Sequence, residues 1–300
     1  MRILATDGIE KGARAELEAL GHVVEEKFYE VEDLKEAVKL ADVLVVRSAT
    51  KVRKPVIDAA VEGKQLKMII RGGVGIDNID HEYAESKGIK VRNTPKASSD
   101  AVAELALGLM FSCARHISHA GHTMREGQWE KKAYKGVELM GKTVGIIGYG
   151  RIGQALGRRC IAMGMKVVAY DIFHVEGIEN ENMKYVELDE LLKVSDFISL
   201  HTPAIDGKPL INEENIAKMK DGVIFVNTSR GNNVDEAALL NALNSGKMYA
   251  AGLDVFAEEP SKNMDLLNHP RVSCTPHIGA QTAEAQKRIG KEIVEIIKSL

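Results

Sequence analysis

Three polar residues stand where apolar runs give way to polar ones: Arg230 after "VIFVNTS", Glu259 in "LDVFAEEP" and His277 in "SCTPHIGAQT". As a set they offer a proton carrier, a carboxylate to orient it and a planar cation to clamp an anion. An imidazole can take a proton from a hydroxyl near neutral pH, and a neighbouring carboxylate stabilises the imidazolium and fixes which ring nitrogen faces the substrate. A guanidinium holds a carboxylate, or polarises the oxygen beside it, with a fork geometry that lysine cannot copy. Taken singly, each has a plainer reading: a hydrogen-bonded loop histidine, a turn-capping glutamate, a surface arginine.

A second constellation supplies a cofactor site. Gly148, Gly150 and Gly153 form G-x-G-x-x-G directly after the strand pattern "TVGII" and directly before a helical one. The first glycine permits the tight turn, the second lets the backbone approach a pyrophosphate, and the third lets helix pack on strand. The pyrophosphate would rest on the positive helix N-terminus. The next strand pattern, "KVVAYD", ends in Asp171, 18 residues past Gly153, near the spacing expected of the acid that binds the adenosine ribose. Asp171 would repel the extra phosphate of NADP, and "IFHVE" after it supplies no arginine, so NAD is the expected cofactor.

The elements that must position these residues come in two series. From Met1 to about Pro95, "RILAT", "HVVEE", "VLVVRSA", "KMIIRGG" and "IKVRNTP" alternate with amphipathic helical runs, which predicts a flavodoxin-like parallel sheet covered on both faces. "SSDAVAELALGLMFSCAR" is a nearly all-apolar helix over 98–115, expected to be buried between domains or subunits. The basic stretch "MREGQWEKKAYKGVELMGKT" is expected to be irregular. From Lys142 the alternation restarts, with further strands at "FISL", "VIFVN", "YAAGLDV" and "RVSCTP", and Thr282 caps a final helix over 283–300. The fold class is therefore α/β, two Rossmann/flavodoxin-like domains with parallel sheets. In open sheets of this kind ligands bind beyond the carboxyl ends of the strands, so Arg230, Glu259 and His277 should line one crevice with the cofactor.

A length of 300 residues fits two domains, and 45% hydrophobic content gives each its own core. With a net charge of -3 and no basic cluster, the chain has no electrostatic footprint for nucleic acid or an anionic membrane, which leaves small-molecule chemistry. Cys113, Cys160 and Cys274 have no metal or redox spacing and read as buried core thiols in a reducing compartment. No metal site is expected. The N-terminus reaches Asp7 before any signal-type apolar core forms, and the apolar stretch around 105–114 is too short to span a bilayer, so a cytoplasmic location is expected.

Over essentially its whole length the sequence resembles the D-isomer-specific 2-hydroxyacid dehydrogenase family. The matching stretches include "VRSATKV", "RGGVGIDNID", "VRNTPKASSDAVAEL", "GKTVGIIGYGRIG", "HTP", "VNTSRGNNVDEAAL", "GLDVFAEEP" and "PHIGAQTAEAQ". The resemblance implies a substrate-binding domain over 1–96 plus 281–300, an NAD-binding domain over 97–280, an active site in the cleft between them, and a homodimer built around the helix after Ser98. It implies Arg230 as the substrate clamp, His277 as acid and base, and Glu259 as its partner. Around the dinucleotide it adds Val74, Arg151, Ile152, His201, Thr202, Pro203, Thr228, Ser229, Asp254 and Gly279, with Arg230 and His277 reaching the same site.

For the substrate, "RGGVG" resembles the family's carboxylate-binding turn, with Gly72, Gly73 and Val74 as a nest of amides. A phosphate-bearing acid needs further cations, and Arg47 with Ser48, Arg71, Lys131 and Lys132 are the candidates; a solvated charge run is the alternative for the two lysines. The expected substrate is D-3-phosphoglycerate. Unphosphorylated relatives such as hydroxypyruvate, glyoxylate or lactate remain open, as does an NAD-sensing binding protein like the related corepressors. Longer members of the family continue into regulatory domains beyond the position of Leu300, so no serine-sensing module is expected here.

Overall fold

The computed structural model describes every residue except Asp206. It divides into two units, Met1–Ser98 with Ala280–Leu300, and Ser99–Gly279.

In the first unit, five short runs rich in Val and Ile pair in parallel: β1 (Arg2–Ala5), β2 (Val23–Glu26), β3 (Val43–Val46), β4 (Met68–Arg71) and β5 (Lys90–Asn93), in the order β2-β1-β3-β4-β5. This is the flavodoxin-like order. Alternate residues of each strand feed opposite faces, as the two-residue period requires. Leu4, Leu44, Val46 and Ile69 join one core with Leu34, Val56 and Ile57 from the helices Val31–Val38 and Lys54–Gly63. Ile3, Val43, Val45, Met68 and Ile70 join the other with Leu17, Ile289, Ile293 and Ile297. The last three lie on the C-terminal helix Ala283–Lys298, which Thr282 caps by accepting from the Ala285 amide. A Cβ on Gly290 would meet Ala13 Cβ at 2.8 Å, so glycine sets how closely this helix crosses Lys11–Ala19.

The second unit carries seven parallel strands: β6 (Thr143–Ile147), β7 (Lys166–Tyr170), β8 (Met183–Tyr185), β9 (Phe197–Leu200), β10 (Val223–Asn227), β11 (Met248–Leu253) and β12 (Val272–Cys274), in the order β12-β11-β10-β9-β6-β7-β8. The order reverses beside β6, which is the switch point where a dinucleotide is bound in such sheets. One face is covered by Ser99–Arg115 and Arg151–Ala162, through Ala106, Leu109, Met110, Leu156 and Cys160. The other is covered by Leu188–Val194, Glu213–Lys218 and Glu236–Ser245. His116, at φ 56°, ends the first long helix, and a separate helix follows at Ile117–Arg125. The stretch after it is irregular apart from a 3-10 turn at Lys131–Ala133.

One expectation about the cysteines is corrected. Cys113 and Cys160 are buried, and burial pushes both thiols up to about 12, but Cys274 is exposed. It is the last residue of β12, an edge strand of the sheet. Among the described residues no helix is long and apolar enough to cross a membrane.

Candidate active site

At the end of β6 the glycine turn meets its three requirements in turn. Gly148 sits at φ 90°, and a Cβ there would lie 2.7 Å from the His201 carbonyl carbon and 2.9 Å from the Thr202 nitrogen. A Cβ on Gly153 would lie 2.3 Å from the Gly148 oxygen, so helix and turn touch only because residue 153 is glycine. Gly150 has nothing within 4 Å of its missing Cβ, and no side chain caps the helix it precedes. The first-turn amides around Arg151 and Ile152 have no intrahelical acceptor, and this open approach fits a pyrophosphate. Asp171 follows β7 and accepts from the Tyr149 amide at 2.6 Å and the Phe173 amide at 3.0 Å. It thereby fixes the glycine turn, with lone pairs left for a ribose hydroxyl.

Arg230, Glu259 and His277 come together within this unit through one closed circuit of contacts. The Asn227 side chain donates to the Arg230 carbonyl at 2.9 Å, and the Asn227 carbonyl accepts from the Asp254 amide at 2.9 Å. The Asp254 carbonyl accepts from the His277 amide at 2.9 Å, which holds His277 at φ 53°. His277 Nδ1 lies 2.7 Å from Glu259 Oε2, and Glu259 Oε1 accepts from the Phe256 amide at 3.2 Å. Gly231 closes the circuit, because a Cβ there would fall 1.8 Å from the Phe256 carbonyl carbon.

The electrostatics follow from the same contacts. Burial alone would push the Glu259 carboxyl up, but the His277 hydrogen bond and charge, the Phe256 amide and the charge of Arg230 outweigh it and hold the group below its ordinary value of 4.5. An ionised carboxylate only accepts, so the His277 Nδ1 proton faces Glu259 and Nε2 is the ring's other nitrogen. Asp254 is 1% exposed, and burial pushes its carboxyl up, offset in part by hydrogen bonds from Thr275 Oγ1 and the amides of Ile278 and Gly279. Those bonds, at 2.6, 2.8 and 2.9 Å, wrap the histidine loop around Asp254. Burial pushes the His201 imidazole down to about 4, so it is neutral, and its ring contacts Ser199 Oγ at 2.8 Å and Thr228 Oγ1 at 3.5 Å. His201 therefore supports the cofactor turn with its backbone while its ring is spent on the sheet. The Ser229 hydroxyl likewise donates to Asn227 Oδ1 at 2.7 Å.

Within the first unit, Arg47 and Arg71 flank the Gly72–Val74 turn. A Cβ on Gly72 would lie 3.7 Å from Arg47 Cγ, and one on Gly73 would fall 1.3 Å from Arg71 Nη1, so the Arg71 guanidinium folds over a turn that only glycine leaves open. The expected nest of three amides is corrected: the Gly72 amide already donates to Val46 O at 2.8 Å and the Gly73 amide to Arg71 O at 2.9 Å, which leaves Val74 as the candidate donor. Arg47 reaches Gln281 Oε1 at 2.6 Å, and burial lowers its pKa. Ser48 is exposed beside it. Lys131 and Lys132 are exposed on their 3-10 turn in the second unit.

Sequence reasoning missed the residues that shape these loops. Asp7, just past β1, accepts from the amides of Arg47 at 2.6 Å and Thr50 at 3.0 Å. Asn78 donates to the carbonyls of Arg47 and Thr50, and Asn227 ties Arg230 to Asp254. Asp7 and Asn227 stand at strand ends, which is the one signal that marks them. Among the described residues no cluster of His, Cys, Asp and Glu could hold a metal.

Comparison with known proteins places this geometry. Residues 107–279 match the family model described as D-isomer specific 2-hydroxyacid dehydrogenase, NAD binding domain. The chain is 55% identical to hydroxypyruvate reductase of Thermotoga maritima, over 89% of this chain and 87% of that protein. It is 46% identical to D-3-phosphoglycerate dehydrogenase of Methanocaldococcus jannaschii, over 100% of this chain but only 57% of that protein, so it spans little more than half the length of that relative. D-lactate dehydrogenase of Aquifex aeolicus, solved with NAD and lactic acid, superposes with a TM-score of 0.88 at 31% identity, over 100% of this chain and 95% of that one. The chain belongs to the NAD-dependent D-isomer-specific 2-hydroxyacid dehydrogenase family.

Proposed function

We propose that the chain interconverts D-3-phosphoglycerate and 3-phosphohydroxypyruvate at a site formed by Arg230, Glu259 and His277. NAD, when bound, supplies the acceptor for the hydride that leaves carbon 2. His277 Nε2 takes the hydroxyl proton, and Glu259, 2.7 Å from Nδ1, stabilises the imidazolium and keeps Nε2 turned to the substrate. Arg230 grips the substrate carboxylate and polarises the oxygen on carbon 2. In the reverse direction the imidazolium returns the proton to the carbonyl oxygen.

The observation that carries the phosphorylated substrate is the pair of arginines flanking the Gly72–Val74 turn, with the Arg71 guanidinium folded over it. Two arginines beside the turn that resembles the family's carboxylate site give a dianionic phosphate the further cations it needs, which a neutral hydroxymethyl group would not use. The exposed Lys131 and Lys132 are further candidates for the phosphate. A role in serine biosynthesis, a cytoplasmic location and a homodimer belong to the same proposal. The exposed apolar side chains Phe111, Ile117, Met124, Trp129 and Met140 on the second unit support self-association.

The second reading is reduction of unphosphorylated hydroxypyruvate, favoured by the 55% identity to a protein named for that activity. Steady-state NADH oxidation with phosphohydroxypyruvate, hydroxypyruvate, glyoxylate and pyruvate separates the two. A kcat/KM preference of about 100-fold for the phosphorylated acid, equivalent to about 3 kcal/mol of transition-state binding, supports the first. A flat ranking, or one led by hydroxypyruvate, transfers the assignment to the second.

A further inference from the structure

We propose that Asn233 is a positioning residue that ties the cofactor loop to the Arg230 turn, so that the two halves of the site move as one. Asn233 is 0% exposed and lies in the 3-10 turn Gly231–Asn233, immediately after Arg230. Its side-chain amide donates to Thr202 Oγ1 at 3.1 Å and to the Pro203 carbonyl at 2.8 Å, and its side-chain oxygen accepts from the Ile205 amide at 2.9 Å. The orientation is unambiguous, because the Ile205 amide can only donate and the Pro203 carbonyl can only accept. Three directional bonds thus hold the segment Thr202–Ile205 to a single side chain.

That segment begins at the cofactor turn. The missing Cβ of Gly148 lies within 2.9 Å of both the His201 carbonyl and the Thr202 nitrogen, so the start of the segment is packed on the first glycine of the dinucleotide motif. The chain of contact therefore runs from Gly148 through Thr202–Ile205 to Asn233, and through the Asn233 backbone to Arg230. An apolar side chain of similar volume would fill the same space. It would leave the Ile205 amide and the Pro203 carbonyl without their partner, and the loop would be free to drift from the turn that carries Arg230. Neither end of the linkage requires Asn233 to touch substrate or cofactor. The proposal rests on the NAD-dependent site described above and not on which keto acid it takes.

Asn233→Ala and Asn233→Asp test it, with the NADH Kd measured by fluorescence titration and kcat and KM measured against pH. The aspartate keeps an acceptor for the Ile205 amide and can accept from the Thr202 hydroxyl, but it loses the bond to Pro203. The expected result is an NADH Kd and a keto-acid KM raised at least about tenfold in Asn233→Ala, which loses all three bonds where one alone is worth roughly that factor. Asn233→Asp should fall between it and the parent, and the pH profile of kcat should stay where it was, because the His277–Glu259 pair is untouched. A folded Asn233→Ala with both constants within twofold of the parent overturns the proposal, whatever its Tm. Should Asn233→Ala not fold, an unchanged NADH Kd in Asn233→Asp overturns it equally. NADH titration contains no keto acid, so a failed substrate ranking would leave this result readable.

Discussion

Gly231→Ala adds one methyl group at the point where the Arg230 turn meets the Glu259 loop. The new Cβ would lie 1.8 Å from the Phe256 carbonyl carbon, 1.9 Å from its oxygen and 2.5 Å from Ala257 N, whereas ordinary contact begins at 3.4 Å. Relief requires the two backbones to part by about 1.6 Å, since both contacted groups are main chain and cannot rotate away. Overpacking of this kind costs about 1–3 kcal/mol of stability. The larger consequence is geometric. The Phe256 amide donates to Glu259, which contacts His277, so the displacement separates Arg230 from His277, the clamp and the proton carrier of the proposed reaction. A misplacement of about 1 Å can cost on the order of 100-fold in rate. We therefore expect kcat/KM for NADH oxidation by the preferred keto acid to fall about 100-fold, with the NADH Kd rising as well, because Gly231 shares its 3-10 turn with Asn233, whose side chain holds Thr202–Ile205. A folded variant retaining more than a third of the parent kcat/KM would refute the claim that Gly231 holds the two loops in register.

Glu259→Gln should slow turnover, and it should also remove a pH-dependent share of stability. The folded Glu259 carboxyl is held below 4.5, so the unfolded chain binds its proton first; the stabilisation is present above pH 4.5 and is lost as pH falls through the depressed value. The Tm gap between parent and variant should therefore narrow on acidification below pH 4.5, and a gap that widened would count against the pair. Asp171→Ala should raise the KM for NAD by roughly tenfold or more, the worth of a charged hydrogen bond, and should relax the rejection of NADP. Unaltered cofactor selectivity would remove Asp171 from that role. Replacing both Lys131 and Lys132 by Ala should raise the KM for phosphohydroxypyruvate by about tenfold or more while leaving hydroxypyruvate unaffected; equal effects on both substrates would show that these lysines do not read a phosphate.

Much of the fold was legible because parallel strands buried on both faces read as continuous apolar runs, as in "VLVV" and "VIFVN". The edge strand Met183–Tyr185 escaped notice, since three residues with a single buried side chain carry no period. The helix Ile117–Arg125 was also missed, because its separation from the preceding helix depends on the left-handed backbone at His116 and not on composition. At the site, the candidates named from motifs were the glycine turn, Asp171, Arg230, Glu259 and His277, and the structure links the last three through contacts. What could not be read was the circuit that aligns them. The need for glycine at 231 appears only when a second loop arrives within 2 Å of its missing Cβ. The part played by Asn227 and Asn233 depends on which carbonyls approach them in space. The amides of Gly72 and Gly73 show the converse, a motif whose donors are already engaged by neighbouring carbonyls.

The central claim is that His277 handles the substrate proton, and His277→Ala tests it most directly with kcat and the NADH Kd measured on the same preparation. His277 Nδ1 lies 2.7 Å from Glu259, and on the proposed role of Nε2 kcat should fall by about 100- to 10,000-fold while the NADH Kd stays within about threefold of the parent. Normal turnover in a variant that still binds NADH would contradict the account.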